Sequence, residues 1–139
     1  MGHYSATVFL RGATEGTGTP VRVIHISDTH NRRYTPPDGD ILIHTGDFTN
    51  GGSDQEMHSF REWFLGLPHK HKVVIFGNHE FNRTNFEHNR DFLGPTVSYL
   101  QDSGCQVLGI SIWGSPWNNS SQFFGADENG RAKMFDMVP

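Results

Sequence analysis

Three short stretches of this 139-residue chain combine side chains that can bind metal ions or transfer protons. Asp28-Thr29-His30, Gly46-Asp47 and Gly77-Asn78-His79-Glu80 each follow a run of apolar, β-forming residues. Their side chains offer carboxylate, imidazole and amide oxygen without sulfur, a combination that suits Mn²⁺, Fe or Zn²⁺ better than a soft metal. The glycine that opens the second and third stretches lets the backbone and an ion approach closely, because glycine has no side chain.

One of the carboxylates is expected to bridge two cations, since a charged ligand does this better than a neutral one. Asp47 and Asp28 are both candidates for this role. Two divalent ions about 3.5–4 Å apart form hydroxide from water at neutral pH and neutralise charge on a phosphoryl group. The residue types therefore predict a site for two divalent metal ions (Mn, Fe or Zn) and a small-molecule phosphoester substrate.

The elements that position these residues are predicted from the apolar pattern. Buried β-strands are expected over residues 21–27, 40–46 and 71–77. Ser53 and Glu56 have the spacing of a capping box, and apolar residues at helical intervals then predict a helix that ends at Gly-Leu-Pro. This order indicates an α/β fold with a largely parallel sheet. Ligands of such sheets lie beyond the carboxyl ends of the strands, so the three stretches are expected to form one site.

The second half of the chain predicts one more helix and two extended runs. Residues 82–93 are predicted to be helical, with Phe86 and Leu93 on one face. The sequence VSYLQDSGCQVLGISIWGS predicts two extended runs joined by a turn at Asp102-Ser103-Gly104.

The composition is typical of one globular domain or part of one, with 35% hydrophobic and 19% charged residues. The net charge of −4 argues against a nucleic acid duplex or an anionic membrane as partner. Cys105 is the only cysteine, which excludes an internal disulfide and fits a reducing compartment. The N-terminus lacks the apolar stretch of a signal peptide, and no apolar run has the length of a bilayer span. A cytoplasmic protein is expected, and its oligomeric state stays open.

The three stretches resemble the motifs of the calcineurin-like metallophosphoesterase family. They stand here as D-T-H (Asp28–His30), G-D-F (Gly46–Phe48) and G-N-H-E (Gly77–Glu80). The resemblance runs from about Val21 to the end of the chain, and it is closest to the metallophosphoesterase domain-containing branch, some of whose members act on cyclic nucleotides. It implies an α/β fold, a mixed-sheet sandwich flanked by helices, and the hydrolysis of phosphomonoesters or phosphodiesters.

The resemblance also implies a role for each motif residue. Asp28 and His30 are expected to bind the first metal ion, and Asp47 is expected to bridge the two ions. Asn78 is expected to bind the second ion and to contact the phosphate. His79 is expected to protonate the leaving oxygen or to stabilise the charge that develops there.

Glu80 is expected to orient its loop or the adjacent histidine by hydrogen bonding. The family completes its site with histidines from later strands, whereas His88 is the only histidine after Glu80. Residues 21–139 are therefore interpreted as the N-terminal portion of a single metallophosphoesterase domain whose C-terminal part is missing. Residues 1–20 are interpreted as an N-terminal extension or a first strand plus loop. Full occupancy by two metal ions is not expected, and the alternative is a truncated, non-catalytic form that binds metal weakly or acts through partner contacts.

Five further histidines have structural interpretations. His25 and His44 lie inside predicted strands, where a hydrogen-bonded position in the core or behind the site is favoured over direct metal binding. His58, His69 and His71 are predicted to face solvent.

Overall fold

The structure is a computed structural model that describes residues 20–80, 92–116, 136 and 138, together with the backbone of residues 7–11 and 81. The predicted helix over residues 82–93 lies almost entirely outside this described part. The elements in chain order are β1 (Thr7–Arg11), β2 (Val23–Ile26), β3 (Ile41–His44), α1 (Asp54–Gly66), β4 (His71–Val74), α2 (Asn78–Phe81), β5 (Val97–Tyr99), β6 (Ser103–Val107) and β7 (Ile110–Ser115).

A four-stranded parallel sheet carries the strands that lead into the three motifs. Its order is β2-β3-β4-β5, and all three pairings are parallel. The three predicted strands are confirmed, although each is shorter than the apolar run that predicted it. Because the carboxyl ends of parallel strands lie at one edge of a sheet, the residues that follow β2, β3 and β4 are brought to that edge.

The second sheet is antiparallel, and it corrects the prediction for the last extended runs. Its order is β1-β7-β6. Asp102 lies in the predicted bend, between β5 and β6, with a φ of +45°. Ser103 and Gly104, however, belong to β6, and the second predicted run is divided into β6 and β7 at Leu108-Gly109, where both residues have positive φ. The prediction took Gly104 for a turn glycine, but here the missing side chain allows close packing within the sheet. A Cβ at this position would lie 3.2 Å from the ring of Trp113.

Helix α1 covers one face of the parallel sheet. The predicted capping box is confirmed, because the Ser53 hydroxyl accepts from the backbone N–H of Glu56 and the Glu56 carboxylate accepts from the backbone N–H of Ser53. The helix ends where Leu67 turns extended before a proline, which disfavours the helical conformation of the preceding residue. The buried side chains of α1 belong to a core that also contains residues of the parallel sheet and of the loops around it. This core consists of Ile26, Leu42, Phe48, Met57, Phe60, Phe64, Val74, Phe76, Leu93 and Val97.

The other face of the parallel sheet packs against the antiparallel sheet. Successive side chains of a strand point to opposite faces, so the neighbours of the residues in the first core belong to a second core. That second core contains Ile41, Ile43, Val73, Ile75, Leu100, Val107 and Ile112. Two sheets with a helix on the outside confirm the predicted α/β sandwich, and in the described residues one sheet is parallel and the other antiparallel.

The predicted exposure of the histidines outside the motifs is confirmed only in part. His58 is exposed on α1, as expected, and His71 is half-buried. The prediction for His69 is wrong, because its side chain is buried and its Nε2 lies 2.9 Å from a backbone carbonyl oxygen of the loop before β3. The prediction of a core position for His25 is also wrong. It is exposed on the edge strand β2, although its Nε2 lies 2.9 Å from the hydroxyl of Thr45.

No helix within the described residues is long and apolar enough to cross a membrane. The division of the chain at residue 20 stays a prediction.

Candidate metal centre

The loops that follow β2 and β3 run side by side and are joined through their backbones. The N–H of Asp28 donates to the carbonyl of Gly46 at 3.0 Å, and the N–H of His30 donates to the carbonyl of Asp47 at 3.0 Å. Thr45, just after β3, donates in the same way to Ile26 of β2 at 3.0 Å. The first two motifs are therefore held in register beyond the ends of the strands.

Three of the five predicted site residues converge at this edge. One ligand atom from each of His30, Asp47 and His79 lies within 4.8 Å of the other two. The two imidazole rings contact each other edge to face, with their centroids 4.8 Å apart. Asp47 is buried and both histidines are half-buried, so the group is partly accessible to solvent.

The other two predicted ligands, Asp28 and Asn78, lie beside this group. Asn78 is 5% exposed, and its Oδ1 has no hydrogen-bond partner among the described residues. Asp28 is exposed, but its carboxylate is close enough to act on the pKa of Asp47. The metal-binding and catalytic roles of all five residues stay predictions.

Several of these residues have a backbone conformation that side-chain-bearing residues seldom adopt. The φ angles are +53° at Asp28, +41° at His30, +62° at Asn31 and +53° at Asp47. Such conformations cost about 1–3 kcal/mol each and cluster at functional sites, where the surrounding structure fixes them. The turns that aim these side chains at one point are therefore held in place by the contacts around them.

Gly77 permits the closest approach in the site. A Cβ at this position would overlap the Asp47 carboxylate and would lie 2.6 Å from the backbone nitrogen of Asp47. The proposed close approach of the backbone at Gly77 is thus confirmed, since any side chain there displaces the aspartate.

The surroundings of the Asp47 carboxylate raise its pKa, so a nearby cation would stabilise its ionised form. Its Oδ1 accepts from the backbone N–H of His79 at 3.2 Å. Burial raises the pKa of Asp47, the hydrogen bond and charge of His79 lower it, and the Asp28 carboxylate raises it again, with a net increase. A bound cation would reverse this increase by favouring the ionised form.

Backbone carbonyls orient both imidazoles of the group. The Nδ1 of His30 lies 3.0 Å from the carbonyl oxygen of Thr49, and the Nδ1 of His79 is hydrogen-bonded to the carbonyl oxygen of Asn50. A carbonyl only accepts, so each neutral ring carries its proton on Nδ1 and keeps the lone pair of Nε2 free. Metal-binding histidines are oriented in this way.

Glu80 fastens the second motif to the third. Its side chain is fully buried, and its Oε2 accepts from the backbone N–H groups of Asp47 and Gly77, each at 2.9 Å. Its Oε1 accepts from the backbone N–H of Thr49 at 2.9 Å and from the Thr49 hydroxyl at 2.7 Å. Burial raises the pKa of Glu80, and the hydrogen bonds from Thr49 and Gly77 counteract this rise. The expectation that Glu80 orients its loop is confirmed.

His44 connects the first motif to the second by hydrogen bonds to Thr29 and Gly46. It is fully buried, as predicted, with its Nδ1 accepting from the backbone N–H of Gly46 at 3.2 Å. An N–H only donates, so Nε2 carries the proton and donates to the Thr29 hydroxyl at 3.0 Å. Burial, with the charges of His25 and Arg33, lowers the pKa of His44 to about 3. The ring is therefore neutral at physiological pH.

The donor set fits a divalent cation. A carboxylate, two imidazole nitrogens and an amide oxygen are ligands that Mn²⁺, Fe and Zn²⁺ accept. The decisive observation is Asn78, because a buried oxygen without a partner costs about 1–3 kcal/mol and a cation would satisfy it. The ligand atoms of His30, Asp47 and His79 lie within 4.8 Å of one another, and Asn78 directly precedes His79 in the chain.

Comparison with known proteins places this site in a family. The sequence model described as calcineurin-like phosphoesterase matches residues 21–129, which include all three motifs. The chain belongs to the calcineurin-like phosphoesterase family. This is the family that the motifs indicated. It is a family of metal-dependent phosphoesterases, and the group of His30, Asp47 and His79 is consistent with metal binding.

The matched relatives come from several organisms. The UPF0046 protein K07C11.7 of Caenorhabditis elegans is 40% identical over 121 residues, covering 73% of this chain and 41% of that protein. Metallophosphoesterase domain-containing protein 1 of Homo sapiens is 37% identical over 122 residues, covering 69% of this chain and 37% of that protein. A segment making up 11% of the probable rhamnogalacturonate lyase C of Emericella nidulans is 50% identical over 112 residues. The chain spans about two fifths of the first two relatives.

Sequence reasoning missed the residues that orient the site without belonging to a motif. The carbonyls of Thr49 and Asn50 carry no sequence signal, because every residue has one. The signal for Glu56 was present as a capping box, but its contacts with Asn31, 25 positions away, and with Asn50 do not belong to the capping-box pattern.

Proposed function

We propose that this chain supplies the core of a dinuclear metal site that hydrolyses phosphomonoesters or phosphodiesters, cyclic nucleotides among them. The observation that carries the proposal is the convergence of His30, Asp47 and His79 within 4.8 Å beside the unpartnered oxygen of Asn78. Membership of the calcineurin-like phosphoesterase family supports it. Bound divalent ions would supply hydroxide at neutral pH and neutralise charge on the phosphoryl group.

In this proposal each ligand keeps the role that the motifs imply. Asp28 and His30 would hold the first cation, Asp47 would bridge the two cations, and Asn78 would hold the second cation and contact the phosphate. The buried position of Asp47 and its hydrogen bond from the backbone N–H of His79 suit a bridging carboxylate, because they leave little freedom for it to rotate away.

His79 is proposed to act on the leaving oxygen. Its Nδ1 is engaged by the carbonyl of Asn50, so a protonated ring presents its Nε2–H toward the group formed with His30 and Asp47. A proton donated from that nitrogen to the leaving oxygen avoids an alkoxide, which is the usual contribution of a general acid.

The number of donors limits what the chain does by itself. Asp28, His30, Asp47 and Asn78 are four side-chain ligands for two cations, and rigid ligand sets are needed to hold each ion in place. A non-catalytic protein that binds one ion weakly is therefore the alternative. The two readings differ in metal stoichiometry and in hydrolysis, and both quantities are measurable.

The test is a calorimetric Mn²⁺ titration of the 139-residue chain with an assay on a nitrophenyl phosphodiester. We expect Asp47→Asn to abolish measurable Mn²⁺ binding and to lower hydrolysis about 100-fold or more, because it removes the bridging charge. Asp38→Asn, an exposed carboxylate at the opposite edge of the sheet, is the matched control and should change neither quantity.

The human relative serves as the reference for activity. We expect the 139-residue chain to hydrolyse the same diester more than about tenfold slower than metallophosphoesterase domain-containing protein 1, because small losses of ligand positioning are costly. Wild-type binding and hydrolysis by Asp47→Asn would contradict the assignment of the bridge. Two tightly bound ions with hydrolysis equal to that of the relative would contradict the weak-binding expectation.

A further inference from the structure

The two histidines of the metal group are oriented by consecutive residues of one loop. Thr49 offers its carbonyl to the Nδ1 of His30, and Asn50 offers its carbonyl to the Nδ1 of His79. This pair of carbonyls fixes which nitrogen of each ring is free. Anything that holds the Thr49-Asn50 segment therefore also holds both imidazoles.

Two glutamates hold that segment from different sides. Glu80 accepts from the backbone N–H of Thr49 at 2.9 Å. Glu56, at the start of α1, accepts from the backbone N–H of Asn50 at 3.1 Å with its Oε1. The same Oε1 accepts from the Nδ2 of Asn31 at 2.6 Å, and Asn31 directly follows His30.

The second oxygen of Glu56 belongs to the capping box. Its Oε2 accepts from the backbone N–H and from the hydroxyl of Ser53, each at 2.9 Å. A capping box needs only this oxygen to cap the helix. The contacts of Oε1 with Asn31 and Asn50 are additional, and they lead to the loops that carry the metal group.

We propose that Glu56 is a positioning residue for the metal group: by holding Asn50 and Asn31, its carboxylate keeps the Nε2 atom of His30 directed at the cation and that of His79 directed at the leaving oxygen. The consequence for hydrolysis rests on the proposed function, whereas the orientation of the rings does not. Burial acts to raise the pKa of Glu56, but hydrogen bonds from Ser53, Asn31 and Asn50 lower it to about 2, so the carboxylate is ionised at neutral pH.

The test uses Glu56→Ala, with two readouts. In the metal-free protein near pH 8, long-range ¹H–¹⁵N correlation spectra report which ring nitrogen carries the proton. We expect His79, and to a smaller degree His30, to lose their preference for the Nδ1–H form. Calorimetric titration should show Mn²⁺ affinity lowered about 10- to 100-fold, the usual effect of removing a group that orients a metal ligand.

Ser53→Ala is the matched control, because it weakens the helix cap and removes the hydroxyl bond to Oε2 of Glu56, but leaves the contacts of Oε1 with Asn50 and Asn31 in place. We expect Ser53→Ala to lower the thermal midpoint while the tautomers and the Mn²⁺ affinity stay as in the wild type. If Glu56→Ala does not fold, Glu56→Gln replaces it. This variant keeps one acceptor oxygen, and its ring tautomers and Mn²⁺ affinity then test the proposal.

Each outcome separates the inference from the proposed function. Loss of the Nδ1–H preference in the Glu56 variant but not in Ser53→Ala supports the positioning role, even if the wild-type chain hydrolyses no diester. Unchanged tautomers in a folded Glu56 variant overturn the inference. Equal losses of Mn²⁺ affinity in Glu56→Ala and Ser53→Ala also overturn it, because the effect would then come from the helix cap.

Discussion

At the scale of single residues, the site is built from side chains on strained turns. Asp28, His30 and Asp47 all have positive φ. Among residues with a side chain, Asp, Asn and His adopt this conformation most readily, so the ligand types are also those that the turns tolerate best. Chemistry and backbone geometry therefore favour the same amino acids at these positions.

His79 is the residue whose role is most open to test. We expect His79→Ala to lower turnover most for phosphoesters with poor leaving groups, because these depend most on a proton from Nε2. Metal content should be unchanged, since the proposed ligands are other residues. Hydrolysis of nitrophenyl and alkyl esters, with elemental analysis of bound Mn²⁺, provides the measurement.

A different result would assign His79 to the metal. Its ligand atom lies within 4.8 Å of those of Asp47 and His30. Loss of bound Mn²⁺ in His79→Ala, with an equal decrease in turnover for good and poor leaving groups, would show that His79 is a ligand rather than an acid.

At the scale of elements, buried side chains fasten the loops to one another. His44 ties the first motif to the second through Thr29 and Gly46, and Glu80 ties the second to the third through Asp47 and Gly77. A buried hydrogen-bonded group contributes stability mainly because leaving its partners unsatisfied is costly. The loops are thus held in place by side-chain hydrogen bonds, because His44 is the only one of these residues that lies in a β-strand.

Gly77 provides the prediction at this scale. We expect Gly77→Ala to lower Mn²⁺ affinity about tenfold or more, because the added Cβ displaces the Asp47 carboxylate. Gly66→Ala is the control, since a Cβ at the end of α1 meets nothing within 4 Å, and alanine stabilises a helix by about 0.5–1 kcal/mol over glycine. Calorimetric titration and denaturant unfolding measure both effects. Wild-type affinity in Gly77→Ala would show that the Asp47 position is not needed.

At the scale of the whole molecule, the parallel sheet is buried on both faces. Helix α1 covers one face and the antiparallel sheet covers the other. His44 lies in the first of these cores, with its ring 5.3 Å from that of Phe60 and 5.5 Å from that of Phe48. A neutral imidazole satisfies this environment, whereas a protonated one would lose its bond from Gly46 and carry a buried charge.

The folded protein should accordingly lose stability in acid through His44. Its pKa is about 3 when folded and about 6.5 when unfolded, so between these values the unfolded state binds the extra proton. The free energy of unfolding should therefore decrease by up to about 1.4 kcal/mol per pH unit as the pH falls from about 6 toward 3. Denaturant unfolding at several pH values measures this slope.

The contribution of His44 is isolated by comparison. His44→Gln cannot titrate, so its slope should be smaller than that of the wild type, whereas His58→Gln, which changes an exposed histidine, should keep the wild-type slope. Equal slopes in all three proteins would show that His44 is not the group responsible.

The sequence by itself determined the strands, the main helix and the motifs that meet at one edge of the sheet. Residues 21–27, 40–46 and 71–77 are apolar runs that end in ligand-type side chains, and this local pattern is sufficient to predict parallel strands with a common edge. The capping box and helical spacing likewise placed α1, because both depend on residues a few positions apart.

Only the tertiary structure decided how the strands are shared between sheets and which polar residues support the site. Gly104 looked like a turn residue, but packing against Trp113 places it inside β6. The exposure of His25 and the burial of His69 depend on which strand lies at the edge and which loop covers it. Glu56 and Asn31 are 25 positions apart, and their contact arises only once α1 packs beside the first motif. Such contacts depend on long-range packing, and a local sequence pattern carries no record of them.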